Sequence, residues 1–156
     1  MKVAVITANT AVYKEQEADK AAPVVKQLVE GAGHKVIFMK ALPNDRSVIA
    51  TVLQRMADEK LADLILTTGG AGLAATDCTP EATLDVVEKQ VCGIPEAMRA
   101  HVATLTKRAM LNRCAAGIRG QVLIVNLPGK PQAVKQCLEY ILPEVLHAVT
   151  VIQNEA

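Results

Sequence analysis

The residues best suited to chemistry lie in one glycine-rich stretch, Thr67-Thr68-Gly69-Gly70-Ala71-Gly72, followed by Asp77 and Thr79-Pro80-Glu81. The stretch leaves an apolar run, Asp63 to Thr68, that reads as a buried strand. Its three glycines let the backbone take positive φ and bring N–H groups up to a ligand. Thr79 reads as the N-cap of a helix, with Pro80 at its first position and Glu81 at its positive end. An anion is favoured at such an end. The spacing fits neither the Walker lysine loop nor the Gly-x-Gly-x-x-Gly dinucleotide fingerprint. A tight turn serving only the fold explains the glycines as well, and helix capping accounts for Asp77, Thr79 and Glu81.

A second loop, Asn126-Leu127-Pro128-Gly129-Lys130-Pro131, leaves another apolar run. Proline and glycine fix its path, and Lys130 stands where a helix begins, able to meet a phosphate or simply to be solvated. A third turn, Leu42-Pro43-Asn44-Asp45, opens a helix in which Asp45 is a natural N-cap.

The elements that must carry these loops alternate in type. Val3 to Ile6, Lys35 to Met39, Asp63 to Thr68 and Gln121 to Asn126 read as strands. Between them, Asp19 to Glu30 and Val48 to Lys60 show apolar residues at helical spacing. Further helices are predicted from Thr79, over Pro95 to Ala103, and from about Pro131. Strands alternating with helices predict an α/β fold: a three-layer sandwich with a mostly parallel central sheet and helices on both faces. Ligands in such sheets bind beyond the carboxyl ends of the strands, where the first two loops fall. With 156 residues and no linker or low-complexity tract, residues 1–156 form one expected domain.

Composition narrows the functional classes. A net charge of +1 without a basic tract argues against nucleic acid as the main partner. Cys78, Cys92, Cys114 and Cys137 are scattered, as are His34, His101 and His147, which is not metal-finger spacing. The cysteines are expected in the core. Cys78, near a helix N-terminus, is the one whose thiol could be acidified. His101 and His147 are expected at the surface. No apolar run spans a membrane, residues 1–7 are too short for a signal-peptide core, and a cytoplasmic protein with reduced thiols is expected. Only three aromatics are present, so the core must be aliphatic.

Taken together, the loops resemble the molybdopterin-adenylyltransferase family, which includes the Mog and MoaB proteins and the N-terminal domain of gephyrin. That family carries Thr-Thr-Gly-Gly-Thr-Gly followed by Arg-Asp-Val-Thr-Pro-Glu-Ala-Thr, similar to Thr67–Thr83 here. Glu96-Ala-Met-Arg99, Leu111-Asn-Arg113, Gly117-Ile-Arg-Gly120 and Asn126-Leu-Pro-Gly129 match further family segments in order. The resemblance covers nearly the whole chain and is strongest from residue 64 to residue 149.

The resemblance implies transfer of AMP from Mg-ATP onto the terminal phosphate of molybdopterin, with release of pyrophosphate. By the same resemblance Gly69, Gly70, Gly72, Asn126, Pro128 and Gly129 line the ligand loops, supported by Thr79 and Glu81. Asp77 holds magnesium and takes part in catalysis. A second family carboxylate falls on Asn44 in direct register, and Asp45 takes its place after a small shift of the turn. Ala71, Thr76 and Asn112 stand where the family has Thr, Arg and Ser, and Ala8-Asn9-Thr10 replaces a Ser-Asp turn. These departures leave a second reading open, a non-catalytic carrier or regulator that binds molybdopterin. Lys107 and Arg108 can reach a triphosphate or serve a solvated face. A homotrimer is carried over from the family.

Overall fold

The computed structural model describes residues 1–154. Four strands are parallel: β1 (Lys2–Ala8), β2 (Lys35–Leu42), β3 (Leu64–Thr68) and β6 (Val122–Leu127). Two more, β4 (Lys89–Gln90) and β5 (Ala116–Arg119), extend the sheet antiparallel, giving the order β2-β1-β3-β6-β5-β4. The mostly parallel α/β fold is as the sequence predicts.

Alternation within the strands decides the two faces. Val3, Val5, Leu64, Leu66, Leu123 and Val125 point to one core, covered by α2 (Ala22–Gly31), α5 (Gly93–Ala103) and α6 (Pro131–Asn154). Ala4, Ile6, Ile65 and Ile124 point to the other, covered by α3 (Arg46–Asp58) and α4 (Thr79–Val86). Each fully buried Leu or Ile contributes about 1.5–3 kcal/mol. Tyr13, Phe38 and Tyr140 are all well exposed, so both cores are aliphatic, as expected.

Three details differ from the sequence reading. Helix α2 starts at Ala22 and not at Asp19, because the Asp19 carboxylate sits ahead of it and accepts the N–H groups of Ala21 and Ala22. A single turn, α1 (Thr10–Tyr13), follows β1 and is capped by the Asn9 side chain. The β4–β5 edge was not foreseen, since two glycines break the strand pattern there. Gly117 is needed because a Cβ would lie 2.7 Å from the Lys89 carbonyl oxygen and from Val87.

The chain leaves β1 toward β2 on one side and returns to β3 on the other. That reversal opens a crevice at the carboxyl ends of β1 and β3, the usual ligand position in open α/β sheets.

Candidate functional site

Two cavities open there. The first, about 620 Å³, is walled by Thr7 and Asn9 at the end of β1, by Thr68 and Gly69 at the end of β3, by Glu17 to Ala21, and by Gly129 to Pro131. The second, about 550 Å³, begins at Gly70 and includes Gly72, Asp77, Arg108, Asn112 and the start of α6. Gly129 and Lys130 line both, and the division falls between Gly69 and Gly70.

Glycine is required at that division for two reasons. Gly69 and Gly70 both have positive φ, +82° and +68°. A Cβ on Gly69 would lie 2.7 Å from the Ala8 carbonyl oxygen, and one on Gly70 would overlap the Thr79 hydroxyl. The second loop closes on the first: a Cβ on Gly129 would meet the Gly69 Cα at 3.2 Å. Backbone therefore forms the floor of the seam, with no side chain to screen it.

Arg113 keeps the glycine loop in place. Its N–H donates to the Ala71 carbonyl (3.0 Å) and its Nε to the Gly72 carbonyl (2.7 Å). Nη2 donates to the Asp77 carbonyl at 3.3 Å. Both Nη atoms also reach the Glu81 carboxylate, at 2.8 and 3.2 Å. That partner raises the Arg113 pKa above its ordinary value, so the guanidinium stays charged. Arg99 in turn donates to the carbonyls of Asn112 and Cys114 on either side of Arg113.

The predicted site residues separate into two groups. Gly69, Gly70, Gly72, Asp77, Pro128 and Gly129 line the two cavities. Asp77 does not cap α4, since its Oδ2 accepts from Ala74 N–H at 3.0 Å and closes the loop on itself. Thr79, Glu81 and Asn126 line neither of these two cavities. Thr79 is the first residue of α4 and not its cap, and its buried hydroxyl lies beneath Gly70 without a partner. Glu81 balances Arg113. Asn126 donates to Thr67 and Thr83 and accepts from Ala115 N–H, joining β3, α4 and the residue ahead of β5.

The Pro43–Asp45 turn lies apart from both walls. Asp45 caps α3 through the Val48 N–H (3.1 Å). Asn44 donates its N–H to the Thr10 hydroxyl, while its side-chain Oδ1 is buried with no donor. Asp45, Asp77 and Glu81 all act on the Cys78 thiol. Burial pushes that thiol up and the three carboxylates push the same way, against a smaller lowering by Arg46, so Cys78 is not the acidified thiol that a helix terminus could make. Cys114 and Cys137 are buried, with thiols pushed up to about 12 and about 11, so neither is a nucleophile at neutral pH. Arg108 lines the second cavity; Lys107 lines neither. His101 stacks on Tyr140 at 4.0 Å between α5 and α6, and His147 is exposed.

Arg113 is the functional residue that sequence reasoning left without a role. It lies 32 residues from Glu81 and 41 from Gly72, and no local pattern pairs them. The only signal was the Leu-Asn-Arg segment itself.

Comparison with known proteins agrees with this geometry. A family model described as "Probable molybdopterin binding domain" matches residues 4–148. The molybdopterin adenylyltransferase of Helicobacter pylori (strain 26695) is 41% identical over 115 residues, 74% of this chain and 65% of that protein. The enzyme of the same name from Escherichia coli K12 is 35% identical over 134 residues, 85% of this chain and 67% of that protein. The match thus spans just under two thirds of the length of the Helicobacter enzyme. The crystal structure of the molybdopterin biosynthesis enzyme MoaB from Thermus thermophilus superposes with a TM-score of 0.92 at 35% identity, covering 98% of this chain and 96% of that one. The seam of glycines, the two cavities and the match over residues 4–148 lead to one assignment: the chain belongs to the molybdopterin-binding family of molybdenum cofactor biosynthesis.

Proposed function

We propose that the chain is a molybdopterin adenylyltransferase that uses Mg-ATP. The observation that carries this reading is the pair of cavities meeting over Gly69 and Gly129, since a two-substrate phosphoryl transfer needs two ring systems held apart and their phosphates held together. A terminal phosphate oxygen of molybdopterin attacks the α-phosphorus of ATP. The new P–O bond forms as the bond from the α-phosphorus to the bridging oxygen breaks, and pyrophosphate leaves with that electron pair. The charges balance: a phosphate dianion and ATP⁴⁻ give a phosphoanhydride-linked dianion and pyrophosphate tetra-anion.

The donor set suits magnesium arriving with the nucleotide. Magnesium is commonly held by one or two carboxylates, with substrate phosphates and water completing its shell. Asp77 lines the second cavity with Oδ1 free of hydrogen bonds among the described residues. No group of three or more His, Cys, Asp or Glu forms a dedicated cage among the described residues, and the substrate-borne ion needs none. When bound, the metal offsets phosphate charge. Asp77 would hold it from the cavity wall, while Asp45, the cap of α3, and Asn44, a neutral oxygen, would join it only on closure of their turn toward the cavity. The chain's own contribution is to orient: Gly69, Gly70 and Gly129 bring backbone up to the phosphates, and Arg113 holds that backbone still.

Assembly as a homotrimer belongs to the same reading. Leu73, Leu105, Met110 and Leu111 are exposed apolar side chains that subunit contact would cover. Among the described residues no helix is long and apolar enough to cross a membrane.

The test is turnover of purified protein with Mg-ATP and molybdopterin, following adenylylated pterin, with Asp77→Ala as the paired variant. Expected is turnover that the variant lowers by about 100-fold or more. Pterin binding without turnover would leave a carrier on the same scaffold.

A further inference from the structure

The adenylylation reading brings two highly charged phosphate groups together, yet the glycine loop supplies no cation to meet them. From Gly69 to Asp77 the chain carries no Lys or Arg. The arginine that touches this loop, Arg113, has its charge balanced by Glu81. Neutralising side chains must therefore come from the other walls. The cations lining the two cavities are Lys20 in the first, Arg108 in the second, and Lys130 in both.

Lys130 differs from the other two by position. It follows Gly129, whose backbone packs against Gly69 at the seam, and its carbonyl accepts the first helical bond of α6 from Val134 N–H (2.9 Å). The proline ahead in the helix and the glycine behind fix where the lysine stem departs. Its side chain is exposed and forms no salt bridge among the described residues, so its charge is available. The acidic residues facing it in the first cavity do not compete equally. Asp19 is engaged by the Thr7 hydroxyl (2.6 Å) and by the N–H groups of Ala21 and Ala22, leaving Glu17 as the free carboxylate.

We infer that Lys130 is a catalytic residue of this chain, holding the non-bridging oxygens of the α-phosphate as its phosphorus passes from pyrophosphate to the pterin phosphate. The inference rests on the adenylylation reading and adds to it the group that meets the transferred phosphorus. Lys20 and Arg108 each face one cavity and bind one substrate. Lys130 lines both, and its contact strengthens when the two phosphates join, which is where a cation accelerates the step and does not merely tighten binding.

Steady-state turnover of the full chain with Mg-ATP and molybdopterin separates these roles. Lys130→Gln is expected to lower kcat by about 100-fold, with both KM values within about threefold of wild type and an unchanged Tm. Lys130→Arg, which keeps the charge, should recover to within about tenfold of wild type. Lys20→Gln and Arg108→Gln should each raise KM for one substrate and leave kcat within about threefold. If the wild type turns over and Lys130→Gln keeps its kcat, or raises KM for one substrate only, the Lys130 role is overturned and adenylylation stands. If the wild type itself forms no adenylylated pterin, adenylylation falls and the Lys130 role falls with it.

Discussion

The glycine loop and the Pro43–Asp45 turn both leave the carboxyl ends of parallel strands, yet they are held in different ways. Around the loop, the carbonyls of Ala71, Gly72 and Asp77 all accept from Arg113, whose charge is balanced by Glu81. Around the turn, the backbone is secured by Thr10 and by the Asp45 cap, but Asn44 Oδ1 is buried with no donor. A satisfied network fixes backbone N–H groups in place before a ligand arrives. A buried acceptor without a donor costs about 1–3 kcal/mol, which a ligand's donor or cation can offset. The loop backbone is therefore preorganised by Arg113, with one unpartnered hydroxyl, Thr79, beneath it, while the turn carries an unmet acceptor, Asn44 Oδ1.

The contrast is most exposed to Gly70→Ala. This residue has φ +68°, and its added methyl would overlap the Thr79 hydroxyl beneath it. Strain and overlap together should cost about 3 kcal/mol in urea unfolding. A loss below about 1 kcal/mol would mean the loop moves aside easily, and the case for preorganisation would fail.

Arg113→Ala comes next, at about 2 kcal/mol, because it frees loop carbonyls and leaves Glu81 without its partner. Hydrogen exchange should quicken at the amides from Gly72 to Asp77. Arg113→Lys should recover little of this protection, since an ammonium cannot reproduce the planar fork to Gly72, Asp77 and Glu81. Unchanged exchange in both variants would show that the loop holds its shape without the arginine.

The same contrast explains what the sequence made legible. The strand-to-loop transitions were readable because Gly69-Gly70, Gly129 and the Thr79-Pro80-Glu81 helix start are local signals. Asp45 was readable as a cap for the same reason. The β4–β5 edge was not, because β4 has only two residues and Gly117 is there for a long-range approach to Lys89. The bracing roles of Arg113 and Asn126 escaped in a similar way, Asn126 having been read as a ligand-loop residue. Each acts through partners 32 to 59 residues away, or through a main-chain carbonyl, and neither leaves a periodic trace. Thr79 was read as a cap from its neighbours, but Cys78 holds the cap position and the Thr79 hydroxyl lies under Gly70.

The smallest expected effect, Asn44→Asp, tests the turn. A carboxylate in Asn44's place would be buried without a donor, so its pKa in the folded protein would lie above the unfolded value near 3.9. The folded state then holds the proton more tightly than the unfolded chain. The penalty is absent below the unfolded pKa, grows as pH rises toward the folded value, and is complete above it. Urea unfolding should therefore show the variant about 1 kcal/mol less stable than wild type at pH ~7, with the gap closing near pH ~4. A variant as stable as wild type at both pH values would mean that Oδ1 already lies against a donor. The turn would then be as well satisfied as the loop, and the distinction between a preorganised floor and an open electrostatic demand would disappear.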